Sequence, residues 1–120
     1  MVELINSKSA VEPICLYIGE SVWIASRCGV HLYSLFENAG YFGLTKEDLE
    51  NEDLILKFSV VEAIDGKKSI LGCGEYRRSE LEAIKNYHPL TQLETSDRKI
   101  RDIEAKMSRV QGEMKNRGFK

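Results

Sequence analysis

Leu16-Tyr17-Ile18-Gly19, then Arg27 and His31 a short way downstream, and Glu80 much later are the residues of this chain whose types and spacing suit chemistry. A tyrosine, an arginine, a histidine and a carboxylate are what a one-metal phosphodiesterase needs. It has a water to activate, phosphate charge to neutralise and a cation to hold. Hydrolysis of a phosphodiester is therefore the sharpest expectation, provided the fold brings the four side chains to one surface.

Short elements must do that positioning. Residues 2–5 and 13–18 read as two strands, and the polar Asn6-Ser7-Lys8-Ser9 between them predicts a hairpin. In the second strand Ile14, Leu16 and Ile18 alternate with Cys15 and Tyr17, so period 2 sends Tyr17 to the open face. Ser21 is a good N-cap for a helix from about Val22 to Asn38, stopped by Gly40. Its expected apolar stripe is Ile24, Cys28, Leu32 and Leu35, with Arg27 and His31 four apart on the next stripe. Gly29 inside this helix costs about 1 kcal/mol relative to alanine unless something approaches closely there.

Further along, Thr45 caps a short helix with acids in its first turn. Residues 54–64 are expected to make the longest strand, closed by a turn at Asp65-Gly66-Lys67-Lys68. A helix follows from about Glu75 to Tyr87, and Pro89 prevents its continuation. Residues 96–117 form a last helix in which Ile100, Ile103, Met107, Val110 and Met114 fall at alternating spacings of three and four. That stripe predicts docking on the body or on a second copy. The order β-β-α-(α)-β-α-α is an α+β chain: a small antiparallel sheet, a hairpin plus a third strand, flanked by helices and followed by a C-terminal helix.

With 120 residues, 42% hydrophobic and 30% charged, the composition is that of one globular domain with a modest core of its own. Cys15, Cys28 and Cys73 cannot all pair within one chain, and none has CxxC spacing. Reduced, mostly buried thiols are expected. No apolar run approaches the ~18 residues of a membrane span, and the first residues lack the pattern of a signal peptide. A cytoplasmic or nucleoid-associated protein is expected, neither membrane-bound nor secreted. The net charge of −2 hides an asymmetry: residues 98–120 hold eight Lys/Arg and three Asp/Glu (+5), residues 1–97 nine and sixteen (−7). A basic end on an acidic body suits either nucleic-acid contact or a solvated helix lying on an acidic face.

In order, Leu16-Tyr17-Ile18-Gly19, the segment Arg27-Cys28-Gly29-Val30-His31, the strand at 54–64, and Arg78-Ser79-Glu80-Leu81-Glu82 followed by Tyr87-His88-Pro89 resemble the GIY-YIG nuclease superfamily over roughly residues 2–92. The first piece is similar to the YIG half of the name. The second is similar to the family's R-x-x-x-H segment, and the last to its catalytic-glutamate helix with a proline exit. Two departures are visible. Leu4-Ile5-Asn6 stands where Gly-Ile-Tyr belongs, and Gln92 lies near the place of an asparagine.

The resemblance implies a nuclease domain at residues 1–92; charge and apolar spacing make residues 93–120 a basic amphipathic C-terminal helix or tail. It implies a metal-dependent DNA endonuclease. Glu80 would hold one Mg²⁺ or Mn²⁺, with Glu82 as the competing carboxylate. Arg27 would bind phosphate oxygens, and Tyr17 would position or deprotonate the water. His31 would accept a proton from a tyrosine or directly from water. Asn6 in place of the first tyrosine could orient a water but not act as a base. Lys67, Lys68, Arg77 and Arg78 would rim the DNA. Tyr33, Tyr41 and Phe42 could stack on bases or pack inside. Two alternatives stay open: a catalytically lapsed relative that binds nucleic acid, and an interaction module dimerising through residues 96–117.

Overall fold

A computed structural model describes residues 1–19, 24–60, 73–92 and 100–120, excluding the side chains of residues 24 and 73–79. The described elements are β1 (Val2–Asn6), β2 (Ile14–Tyr17), α1 (Ile24–Glu37), a 3₁₀ helix (Ala39–Phe42), α2 (Lys46–Glu50), β3 (Leu54–Phe58), α3 (Cys73–Tyr87) and α4 (Ile103–Asn116). The class is α+β, as expected. The three strands form an open antiparallel sheet in the order β2-β1-β3. β1 takes the centre: its hairpin supplies one neighbour, and β3 returns along its other edge with Val2 opposite Phe58 and Asn6 opposite Leu54. That ladder ends with Met1 and Ser59 exchanging hydrogen bonds. Residues 61–64 of the expected long strand, and the turn after it, lie outside the described residues.

One irregularity re-aims a key side chain. Glu3 opposes Cys15 and Leu4 opposes Ile14, but Val2 opposes Tyr17 rather than Leu16, so β2 carries one extra residue there. Such a bulge breaks the period of two. Tyr17 therefore joins Val2, Leu4, Ile14 and Leu16 in one core and is only 7% exposed. The expectation of Tyr17 on an open face is corrected: period 2 assumed an unbroken ladder.

α1 is rotated from its expected setting. Leu35 is buried and Cys28 half-buried, but Leu32 is 40% exposed while His31 is 3% exposed. The helix turns its Arg27–His31 stripe inward, because aromatic rings on β2 and the 3₁₀ helix wait there. The expected stop at Gly40 is also displaced. α1 ends at Glu37, and Asn38 then caps the 3₁₀ helix through its side chain on the Gly40 amide. Thr45 caps α2 with a reciprocal capping box to Asp48.

The C-terminal helix starts later than its stripe suggested. Residues 100–102 are not helical. Ile100 N donates to Thr91 O at 2.9 Å, and Asp102 caps α4 by accepting from Glu104 N. Val110, Met114 and Phe119 then enter the same core as the sheet. The approach is close at Gly43, whose φ of 73° and contact with Val110 (2.5 Å from any Cβ) both demand glycine. Gly40 meets Ile103 in the same way. Polar ties reinforce the seam. Gln111 Nε2 donates to Gly43 O at 3.0 Å and to Asp48 Oδ2 at 2.9 Å, and Lys120 pairs with Asp48 at 2.9 Å. Among the described residues no helix is long and apolar enough to cross a membrane.

Candidate active site

Tyr17 is held at the junction of β2 and the loop that follows. Its ring folds back over Gly19, where any Cβ would lie 2.5 Å from the Tyr17 hydroxyl, so only glycine leaves room. The ring meets His31 edge-on at 4.7 Å between centroids and Phe42 at 6.4 Å. The hydroxyl accepts a hydrogen bond from Arg27 Nη2 at 3.2 Å. Tyr17, Arg27 and His31 thus come together as the sequence suggested, but inside a wall of aromatic rings rather than on an open sheet.

His31 is the most enclosed member. Its Nδ1 lies 2.9 Å from the Tyr41 hydroxyl, and either partner donates according to the imidazole tautomer. Its ring also rests 5.7 Å from Phe42. Tyr41, expected to stack on bases or pack inside, instead faces the histidine. The signal for it was indirect: a tyrosine in the turn directly after the histidine's helix. Lys106 of α4 secures it, donating from Nζ to Tyr41 O at 3.1 Å while standing 5.1 Å from the ring centroid. Of the other aromatics, Phe42 is core and Tyr33 is 69% exposed.

Arg27 and Glu80 supply the charges. The hydrogen bond to Tyr17 raises the proton affinity of Arg27, as do the charges of Tyr41 and Glu80, against the opposing effect of burial. Arg27 Nε is buried and finds no acceptor among the described residues. Glu80 is half-buried on α3 and lies close enough to Arg27 for its charge to be felt, whereas Glu82 is exposed.

The segment after Pro89 locks α3 to Tyr17's strand. Leu90 N and Thr91 N donate to Cys15 O and Leu16 O at 3.0 and 3.1 Å. Gln92 then clamps Ile18: its Oε1 accepts from Ile18 N at 2.8 Å and its Nε2 donates to Ile18 O at 2.5 Å. The amide is 1% exposed and fully engaged by backbone, so it braces the site. Asn6 is engaged by its own hairpin. Its Oδ1 accepts from Lys8 N at 3.0 Å, which closes the hairpin turn. Cys15 offers no nucleophile, since burial and then Glu3 push its thiol up to about 12.

Lys67 and Lys68 lie outside the described residues, and Arg77 and Arg78 sit on α3 with side chains that also lie outside them. No group of three or more His, Cys, Asp or Glu side chains gathers among the described residues. No family model, curated protein or solved structure matches this chain.

Proposed function

We propose that this chain is a metal-dependent endonuclease that hydrolyses DNA phosphodiester bonds. The supporting observation is one continuous contact path, Arg27–Tyr17–His31–Tyr41, with Glu80 near enough for its charge to act on Arg27. A guanidinium fork suits the non-bridging oxygens of a phosphate, whose charge rises towards the transition state. Tyr17 and Tyr41 bracket a buried imidazole. Either hydroxyl can orient the attacking water, and His31 can take the proton that water loses by way of a tyrosine.

Glu80 is the residue that would hold Mg²⁺ or Mn²⁺. A single carboxylate in the field of an arginine that could bind phosphate fits an ion that keeps most of its waters and borrows substrate oxygens as ligands. When bound, such an ion supplies Lewis-acid stabilisation of the leaving oxygen. A binding-only role is the competing reading, favoured by one feature: β1 carries Leu4, Ile5 and Asn6 where the family has its first tyrosine.

Supercoiled plasmid incubated with purified protein and Mg²⁺ or Mn²⁺ decides between them. Nicking or linearisation lost in Glu80→Ala and in Arg27→Ala supports the nuclease. Retarded mobility of plasmid, branched and single-stranded DNA without cleavage of any of them supports binding alone.

A further inference from the structure

We propose that the outward side of α1 is the contact surface of an antiparallel dimer of this chain, with the twofold axis at Gly29. Phe36 is 85% exposed, Tyr33 69% and Leu32 40%, and Ala25, Ser26 and Gly29 are exposed among them. At 100° per residue these six share one side of the helix. None of the six is charged: Arg27 and His31 point the other way, and the exposed Glu37 stands only at the edge of this side. A contiguous apolar side of this kind on a chain with 30% charged residues marks an interaction surface.

Gly29 points to a second helix. Glycine disfavours a helix interior, and a Cβ at 29 would meet nothing within 4 Å among the described residues, so none of these requires it. A backbone pressed against that point would. The residues on either side identify the partner. Three and four positions before Gly29 stand the small Ser26 and Ala25, and three and four positions after it the large Leu32 and Tyr33. An antiparallel crossing about Gly29 sets Leu32 of one copy on Ser26 of the other, and Tyr33 on Ala25. Each contact then occurs twice, as twofold symmetry requires. A parallel crossing would set large on large. The exposed side chains offer on the order of 500 Å² per copy, so a pair removes roughly 1,000 Å², the lower bound of a specific interface. An uncharged face also brings no repulsion between two copies of net charge −2. The dimer leaves the Arg27–His31 side of both helices uncovered, so this inference is independent of the nuclease reading.

Sedimentation equilibrium of the full chain across micromolar to submillimolar concentration tests it. A reversible monomer–dimer equilibrium is expected, weakened at least tenfold in Tyr33→Lys and Phe36→Lys, whose circular dichroism stays unchanged. In a background with Cys15, Cys28 and Cys73 replaced by alanine, checked for the same circular dichroism, Gly29→Cys is expected to cross-link to itself on oxidation. Tyr33→Cys is not. A chain that stays monomeric throughout overturns the proposal, as does a dimer indifferent to both lysine variants. Self-cross-linking at 33 without 29 overturns the antiparallel geometry.

Discussion

The two sides of α1 reverse the usual arrangement. The inward side buries His31 against Tyr17, Tyr41 and Phe42 and half-buries Arg27 against Tyr17, while the outward side shows Tyr33 and Phe36 to solvent. Burying a guanidinium and an imidazole is unfavourable unless each is hydrogen-bonded, and exposing two large aromatics forgoes their burial. A helix chosen for stability alone would have the opposite faces. On the two proposals made above, the inward side serves chemistry and the outward side association.

The sharpest way to break this contrast is to remove inward charges. Arg27→Ala and Glu80→Ala are expected to lower plasmid cleavage by about 10²–10³-fold in a nicking assay. Equal cleavage by these variants would return α1's inward side to a packing role. Next in size is the support beneath the cluster. Met114 is fully buried in the core that α4 shares with the sheet, so Met114→Ala should cost about 2–5 kcal/mol in urea unfolding. A cost below 1 kcal/mol would mean that α4 is loosely attached.

Tyr41→Phe deletes the hydroxyl facing His31 Nδ1. It should cost about 1 kcal/mol of stability while lowering cleavage about tenfold or more, a split that separates catalysis from bracing. Asp48 gives a smaller, pH-dependent effect. Its burial would raise the pKa, but the Thr45 amide, Lys120 and Gln111 outweigh it and hold the carboxyl below its usual range. A depressed folded pKa stabilises above the unfolded value of about 4, and that stability is lost as pH falls through the folded value. Thermal melts of wild type should therefore lose stability below pH 4 that Asp48→Asn does not lose. Least affected is the outward side: Phe36→Lys should change monomer stability by no more than about 0.5 kcal/mol, measured at dilutions where no dimer forms.

Much of this organisation was legible in residue order. Alternation and turn chemistry marked the hairpin, Thr45 and Asp48 their capping box, and Pro89 the end of α3, because each depends on neighbours within a few positions. The grouping of Tyr17, Arg27 and His31 was legible too, through spacing. The side Tyr17 faces was not, since one extra residue in β2 reverses it and no local signal announces a bulge. Nor was the rotation of α1, whose amphipathic pattern ranks Leu32 above His31.

The sequence by itself determined the element order, the caps and turns, and the short list of side chains fit for phosphodiester chemistry, for these follow from local stereochemistry and composition. Only the tertiary structure decided that Tyr41 meets His31, that Gln92 spends its amide on Ile18, and that the C-terminal stripe closes on Gly40 and Gly43 of the body. Those contacts join residues that are distant in sequence or separated by a change of element. Their partners are selected by shape and hydrogen-bond satisfaction across the assembled core, which no short window of sequence encodes.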